Sequence, residues 1–234
     1  MTTPGRFIVL EGIDGCGKTT QLQALHRWLP TSGLMPPDAQ LVTTCEPGGT
    51  VLGLDLRELL LERHGAARPV PMAELLLYAA DRAQHVAKVI RPALDRGDWV
   101  ICDRFTGSTA AYQGYGRGLN LCWIHDLEII ATGGLQADLT LWLDVPLAES
   151  CRRRDDQLND RIEGEGAEFL DRVEDGFLEL AMQRDWVRVN AERPVADVTK
   201  ACRDIICTAL ETCGTQQQSG AITRCPSSGS STGP

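Results

Sequence analysis

Lysine is nearly absent from this sequence. Only Lys18, Lys88 and Lys200 occur in 234 residues, against twenty arginines, and the formal net charge is -9. No basic block exists beyond the short run Arg152-Arg153-Arg154. A protein that grips nucleic acid through its phosphates carries the opposite balance, so that class is excluded first. No apolar run approaches the roughly 20 residues of a membrane span. The stretch from Met1 to Gly12 lacks the basic start, apolar middle and small-residue cleavage site of a secretory signal. Nine cysteines are present, an odd number with no C-x-x-C pair among them. In a chain long enough to build a real core, that argues against both a disulfide scaffold and structural zinc. These absences predict a cytoplasmic protein with no nucleic-acid or membrane partner, whose thiols are reduced and mostly buried.

What is present is ordinary for a folded protein: 43% hydrophobic and 24% charged residues. The length suits one large domain. Arg6 to Glu11 reads as a short buried strand, and Thr19 to Leu29 carries Leu22, Leu25, Trp28 and Leu29 at helical spacing. Further strands are predicted over Leu41–Thr44, Trp99–Cys102, Leu139–Val145 and Trp186–Val189. Between them lie a helix through Leu52, Leu56, Leu59 and Leu60, and a long one opened by Pro71 and ended by Gly97. Helices follow over Ile124–Thr132, Phe169–Met182 and Val195–Leu210. Strands alternating with helices of this length imply an α/β fold, a parallel sheet of about five strands with helices on both faces. We expect the domain to span 1–212. The tail, 213–234, is Gln-, Ser-, Gly-, Thr- and Pro-rich, has too little apolar surface to offset the entropy of ordering, and is expected to be disordered. No internal repeat is visible.

Gly12-Ile13-Asp14-Gly15-Cys16-Gly17-Lys18-Thr19 matches G-x-x-x-x-G-K-[ST], directly after the first strand and before a helix. Glycines let backbone N–H groups wrap phosphate oxygens, and the helix N-terminus favours their charge. Lys18 is expected to reach the β- and γ-phosphates and Thr19 to offer its hydroxyl to Mg²⁺. Thr20 completes the expected nucleotide contacts. The alternative is a glycine-rich turn with an incidental lysine, which the flanking strand and helix disfavour. A P-loop alone leaves a small-molecule kinase, a GTP switch or a motor. No N-K-x-D segment exists to read guanine, and a motor calls for more chain. A kinase calls for scattered arginines, which this sequence has.

Asp103-Arg104-Phe105 follows the third strand at its C-terminal end, where open α/β sheets bind ligands. There Asp103 can orient Mg²⁺-bound water, and Arg104 can fork onto an acceptor phosphate. Arg152-Arg153-Arg154 and Arg161 flank a polar stretch, Asp155 to Asp160. That arrangement suggests a mobile lid, about 152–163, closing over a triphosphate. A structural Asp–Arg pair and a solvated helix end are the plainer alternatives.

Together these residues resemble the thymidylate kinase family, in its bacterial type, over roughly Arg6 to Leu210. The matching segments are Phe7-Ile8-Val9-Leu10-Glu11-Gly12, Glu46-Pro47-Gly48-Gly49-Thr50, Ala80-Asp81-Arg82-Ala83-Gln84-His85, Asp103-Arg104-Phe105, Ala111-Tyr112-Gln113-Gly114 and Asp160-Arg161-Ile162-Glu163. The resemblance implies a P-loop, nucleoside-monophosphate-kinase-like fold that moves the γ-phosphoryl group of ATP to dTMP with Mg²⁺. It implies a homodimer. It also assigns roles: Arg82 to the thymine carbonyl, Tyr78 one turn earlier to stacking on the base, Thr109 to the base edge, and Tyr112 to the sugar. Arg104 would bind the dTMP phosphate, Asp14 would accept from the 3′-hydroxyl, Arg153 would contact ATP, and Arg161 would be the lid arginine. Gly15 fits a type that lacks an arginine inside the P-loop. One departure is Cys45, where bacterial relatives usually carry arginine before Glu-Pro-Gly-Gly-Thr; Arg57, in the following helix, is the residue offered as compensation. A deoxynucleoside kinase with Glu11 as base, and a nucleotide-binding module without turnover, are the alternative functions.

Overall fold

The computed structural model describes residues 5–61, 68–154 and 165–216, with side chains to 209. Five strands form one sheet in the order β2-β3-β1-β4-β5: β1 (Arg6–Glu11), β2 (Leu41–Cys45), β3 (Trp99–Asp103), β4 (Leu139–Asp144) and β5 (Val187–Asn190). Every pairing is parallel, with Ile8 opposite Ile101 on one side and Leu10 opposite Leu141 on the other. The expected α/β sheet is the one observed.

Alternation along β1 sends its side chains to two faces. Ile8 and Leu10 enter the larger core with Ile101, Leu141, Leu143, Leu25 and Ile206. Phe7 and Val9 enter a smaller one with Val100, Val86, Ile90 and Phe105. Both faces are covered, which is why the strand reads as a continuous apolar run. Each of these four side chains is 2% exposed or less, and burial of each contributes about 1.5–3 kcal/mol.

Nine helices pack around the sheet among the described residues: α1 (Lys18–Trp28), α2 (Val51–Leu61), α3 (Pro71–His85), α4 (Arg91–Asp95), α5 (Thr106–Thr109), α6 (Leu121–Thr132), α7 (Leu147–Arg154), α8 (Ala167–Gln183) and α9 (Val195–Gln216). Helix α3 begins with proline at its first turn and runs through a π-helical turn, Val86–Ile90, into α4. Asn120 caps α6 by accepting from the Cys122 amide at 2.8 Å. A second π segment, Ala110–Gly116, continues α5. Periodicity predicts nothing there, because Thr106-Gly107-Ser108 is a poor helix former. Packing decides instead: Tyr112 sits between Phe169 and Phe177 of α8, at 6.3 and 6.0 Å between ring centroids.

Two expectations need correction or placement. Only Cys16, Cys102 and Cys202 of the seven described thiols are buried; Cys122, on the outer face of α6, is exposed. The expected preponderance of buried thiols fails because Cys45, Cys151 and Cys207 lie at the edge of the core. The arginine run ends α7, whereas Arg161 and residues 155–160 of the expected lid lie outside the described residues, as does the tail after Gln216.

Candidate active site

The C-terminal ends of β1 and β3 converge on the P-loop. Gly12 has φ 142°, and a Cβ there would lie 2.6 Å from the Leu143 carbonyl oxygen. Gly17, at φ 98°, precedes α1 with no side-chain cap, so the first N–H groups of that helix remain open for an anion. Lys18 is buried. Its Nζ donates to the carbonyls of Gly12 and Ile13, each at 3.0 Å, and lies 4.0 Å from Asp14 Oδ1. Thr19 Oγ1 donates to Asp103 Oδ2 at 3.0 Å. A hydroxyl and a carboxylate side by side are the hard oxygen ligands that Mg²⁺ takes alongside water and phosphate, so these residues fit that ion. A cleft of about 1130 Å³ exposes Asp14, Gly15, Cys16, Gly17, Lys18, Thr19, Thr20 and Asp103 together with Arg153.

Beside that cleft lies a second pocket lined by Asp14, Glu46, Arg57, Tyr78, Arg82, Arg104, Ser108, Thr109, Tyr112 and Gln113. Every residue expected around the acceptor base, sugar and phosphate is therefore gathered in one place. Asp14 and Arg104 belong to both cavities. Arg104 adopts φ 70°, a left-handed conformation uncommon for a side-chain-bearing residue. Its guanidinium donates to Gly12 O at 3.1 Å and Ser108 Oγ at 2.8 Å, and forms an ion pair with Asp14. Tyr112 OH donates to the other Asp14 oxygen at 2.8 Å. Burial opposes charge on Asp14, but Arg104, Lys18 and the Tyr112 bond outweigh it and hold the carboxyl well below the usual range.

Arg82 is 2% exposed and donates to Glu46 Oε2 at 2.8 Å, Phe105 O at 3.0 Å and Thr109 Oγ1 at 2.9 Å. Burial works against its charge, and Glu46, Glu128 and Glu11 together more than offset that, so Arg82 stays protonated. Glu46 is steadied from its other oxygen by His85 Nδ1 at 2.8 Å. Tyr78 lines the same pocket one turn earlier on α3. At the nucleotide side, Arg153 donates to Glu149 at 2.7 Å and to Ala191 O at 2.9 Å.

Several site residues have no specific contact assigned by the sequence, where Arg57 stands only as compensation for Cys45 and Arg154 only as part of the arginine run. Arg57 donates to Pro47 O at 2.9 Å and lines both cavities, next to Cys45 in the cleft. Gln113 Nε2 donates to buried Glu74 at 2.9 Å, which Arg117 grips with two bonds of 3.1 Å. Arg154 packs over Gly15, where a Cβ would come 3.2 Å from its Cγ. The quoted segment Ala111-Tyr112-Gln113-Gly114 and the arginine run were the available signals for two of these. Glu11 fails as a general base: it is 1% exposed and both its oxygens accept hydrogen bonds from the Phe105–Ser108 segment. A separate cavity of about 530 Å³, lined by Glu11, Glu128, Arg184, Asp138 and Trp186, contains none of the residues expected to bind ATP or dTMP.

Comparison with known proteins bears on the family of the whole chain. Residues 10–202 match the family model described as thymidylate kinase. A thymidylate kinase of Synechococcus sp. (strain CC9311) is 63% identical over 204 residues, covering 87% of this chain and 96% of that protein. A thymidylate kinase of Prochlorococcus marinus (strain MIT 9313) is 62% identical over 197 residues, covering 84% and 91%. The crystal structure of thymidylate kinase from Ehrlichia chaffeensis superposes with a TM-score of 0.68 at 33% identity, covering 87% of this chain and 99% of that one. With the family model matched over residues 10–202 and relatives matched along nearly their whole length, the chain belongs to the thymidylate kinase family.

Proposed function

We infer that the protein moves the γ-phosphoryl group of ATP to dTMP, giving dTDP and ADP. The observation that carries this reading is the junction of two cavities at Asp14 and Arg104, one ringed by P-loop groups and the other by Tyr78, Arg82, Thr109 and Tyr112. The acceptor is a phosphate oxygen, already anionic at neutral pH, so no protein base is required. Buried Glu11 is in keeping with that, and the deoxynucleoside kinase reading loses its candidate base. Thr19 and Asp103 would hold Mg²⁺, which would supply positive charge to the transferring phosphates. Lys18 and the P-loop amides hold the donor, Arg104 holds the acceptor phosphate, and Arg153 and Arg154 border the nucleotide cleft, with Arg161 expected to close from the lid. Catalysis is then positioning and charge neutralisation.

Two further elements belong to the proposal. The chain works as a homodimer: Met72 and Leu76 of α3, Leu52 and Leu59 of α2, and Trp123 and Ile130 of α6 form exposed apolar surface that a second copy would cover. It works in the cytoplasm; among the described residues no helix is long and apolar enough to cross a membrane. The test is ADP release with Mg²⁺–ATP against dTMP, dUMP, dCMP, dGMP, AMP and thymidine. Fastest turnover is expected with dTMP. Turnover of thymidine in preference to dTMP would overturn the assignment, and ATP binding with no turnover on any acceptor would leave a nucleotide-binding module.

A further inference from the structure

Phosphoryl transfer to an anionic oxygen leaves Glu11 without a chemical task, yet it is one of the most thoroughly bonded carboxylates in the molecule. It ends β1, one residue before the P-loop. Its Oε1 accepts from the amides of Phe105 at 3.0 Å and Ser108 at 3.1 Å, and its Oε2 accepts from the Ser108 hydroxyl at 2.6 Å. The same hydroxyl oxygen accepts from Arg104 Nη1 at 2.8 Å. A serine has one proton to give, and guanidinium can only donate. With that proton committed to Glu11, the lone pairs of Ser108 must face Arg104. The polarity of the chain Arg104, Ser108, Glu11 is thereby fixed in one direction.

The backbone bonds act on the same target. Arg104 sits at φ 70°, its own amide donates to Leu10 O at 2.9 Å, and the next amide, Phe105 N, is the one Glu11 receives. A side-chain-bearing residue persists in the left-handed region only where its surroundings over-determine it. Here the last two residues of β1 hold both sides of the turn. We propose that Glu11 is a positioning residue for the acceptor phosphate, aiming the Arg104 guanidinium through the Ser108 hydroxyl and clamping the strained turn that carries it. The proposal rests on the reading of Arg104 as the acceptor-phosphate ligand.

Glu11→Gln tests it with little change of shape. Glutamine can still receive both amides, but its NH₂ replaces the acceptor of the Ser108 proton. Ser108 must then accept from both neighbours, and its own proton loses the carboxylate. Kinetics with each substrate varied should show kcat/KM for dTMP falling about ten- to a hundredfold, the worth of a charge-assisted bond. KM for ATP should stay within about twofold, because Lys18, the proposed donor ligand, is held by the Gly12 and Ile13 carbonyls and bonds to neither Glu11 nor Ser108. Thymidine, which lacks the phosphate, should inhibit the variant and the wild type equally. Ser108→Ala should show the same selective loss, and Glu11→Gln in that background should add little. Equal losses for ATP and dTMP, weakened thymidine inhibition, or multiplicative effects in the double variant would overturn the proposal. If Glu11→Gln does not fold, Ser108→Ala decides alone: unchanged dTMP kinetics would refute the relay. The wild-type acceptor panel tests the underlying reading separately. Because the relay acts at the phosphate end, the same selective loss is expected with whichever monophosphate the wild type turns over.

Discussion

Removing Arg82 should do two things at once, and the structure says how to separate them. Its guanidinium is buried against Glu46, itself only 4% exposed. Arg82→Met deletes the donor and leaves a buried carboxylate supported by His85 alone. Breaking a buried pair from one side costs about 3–5 kcal/mol. Against a typical total of about 5–15 kcal/mol, that is a large fraction of the stability of the domain. Arg82→Met/Glu46→Gln removes the orphaned charge as well, and should regain at least about 1–2 kcal/mol of the loss. Urea unfolding of wild type, both single variants and the double variant gives the coupling energy. Measured on the double variant, where folding is least compromised, kcat/KM for dTMP should still fall at least about tenfold, with KM for ATP nearly unchanged. A single variant as stable as wild type would refute the buried-pair argument. Equal damage to ATP and dTMP in the double variant would refute the base-reading role.

Lys18→Ala should lower turnover about a hundredfold or more, since it removes a buried cation from the triphosphate; steady-state rates within tenfold of wild type would take Lys18 out of the mechanism. Burial and the neighbouring Glu46 raise the Asp81 carboxyl to about 6. The folded state therefore binds this proton more tightly than the unfolded one, and wild-type stability should fall as pH rises from about 4 to 6. Asp81→Asn lacks that term, so urea unfolding from pH 4 to 7 should show the stability of the variant relative to wild type rising by about 1–3 kcal/mol across that window. A pH-independent difference would refute the shift. Gly107→Ala places a Cβ 2.3 Å from Trp186 Cη2 and 2.9 Å from Glu11 Oε1, and should destabilise the fold by about 1–3 kcal/mol on thermal or urea unfolding. A neutral result would mean that Trp186 yields freely.

The parts legible in the sequence are those governed by short-range rules. The strand–P-loop–helix unit and the five apolar strands follow from periodicity and glycine placement, and the structure keeps them with shifts of a residue or two, as in β5, expected at Trp186–Val189 and found at Val187–Asn190. The acceptor residues came from a resemblance, and the fold gathers Tyr78, Arg82, Arg104, Thr109 and Tyr112 around one pocket. What was illegible depends on partners far apart in the chain. Glu11 meets Phe105 and Ser108 across 94 and 97 residues, and Gln113 meets Glu74 across 39. The 106–116 segment is helical because Tyr112 needs a place between two phenylalanines of α8, a demand its local sequence does not announce.

The Asp14–Arg104 pair has a consequence for the proposed acceptor site. Arg104, the proposed ligand of the acceptor phosphate, is neutralised by a carboxylate that the P-loop itself provides. A free anion entering the site has to exchange places with a resident carboxylate, also bonded to Tyr112, and so gains only the difference between two ion pairs. Inorganic phosphate brings nothing else to the exchange. On the proposed assignment a nucleotide would also bring its sugar and base to the neighbouring wall of Tyr78, Arg82 and Thr109, and those contacts would tip the balance. On the proposed assignment, a phosphate that displaces Asp14 from Arg104 would leave that carboxylate available to the sugar of the same ligand.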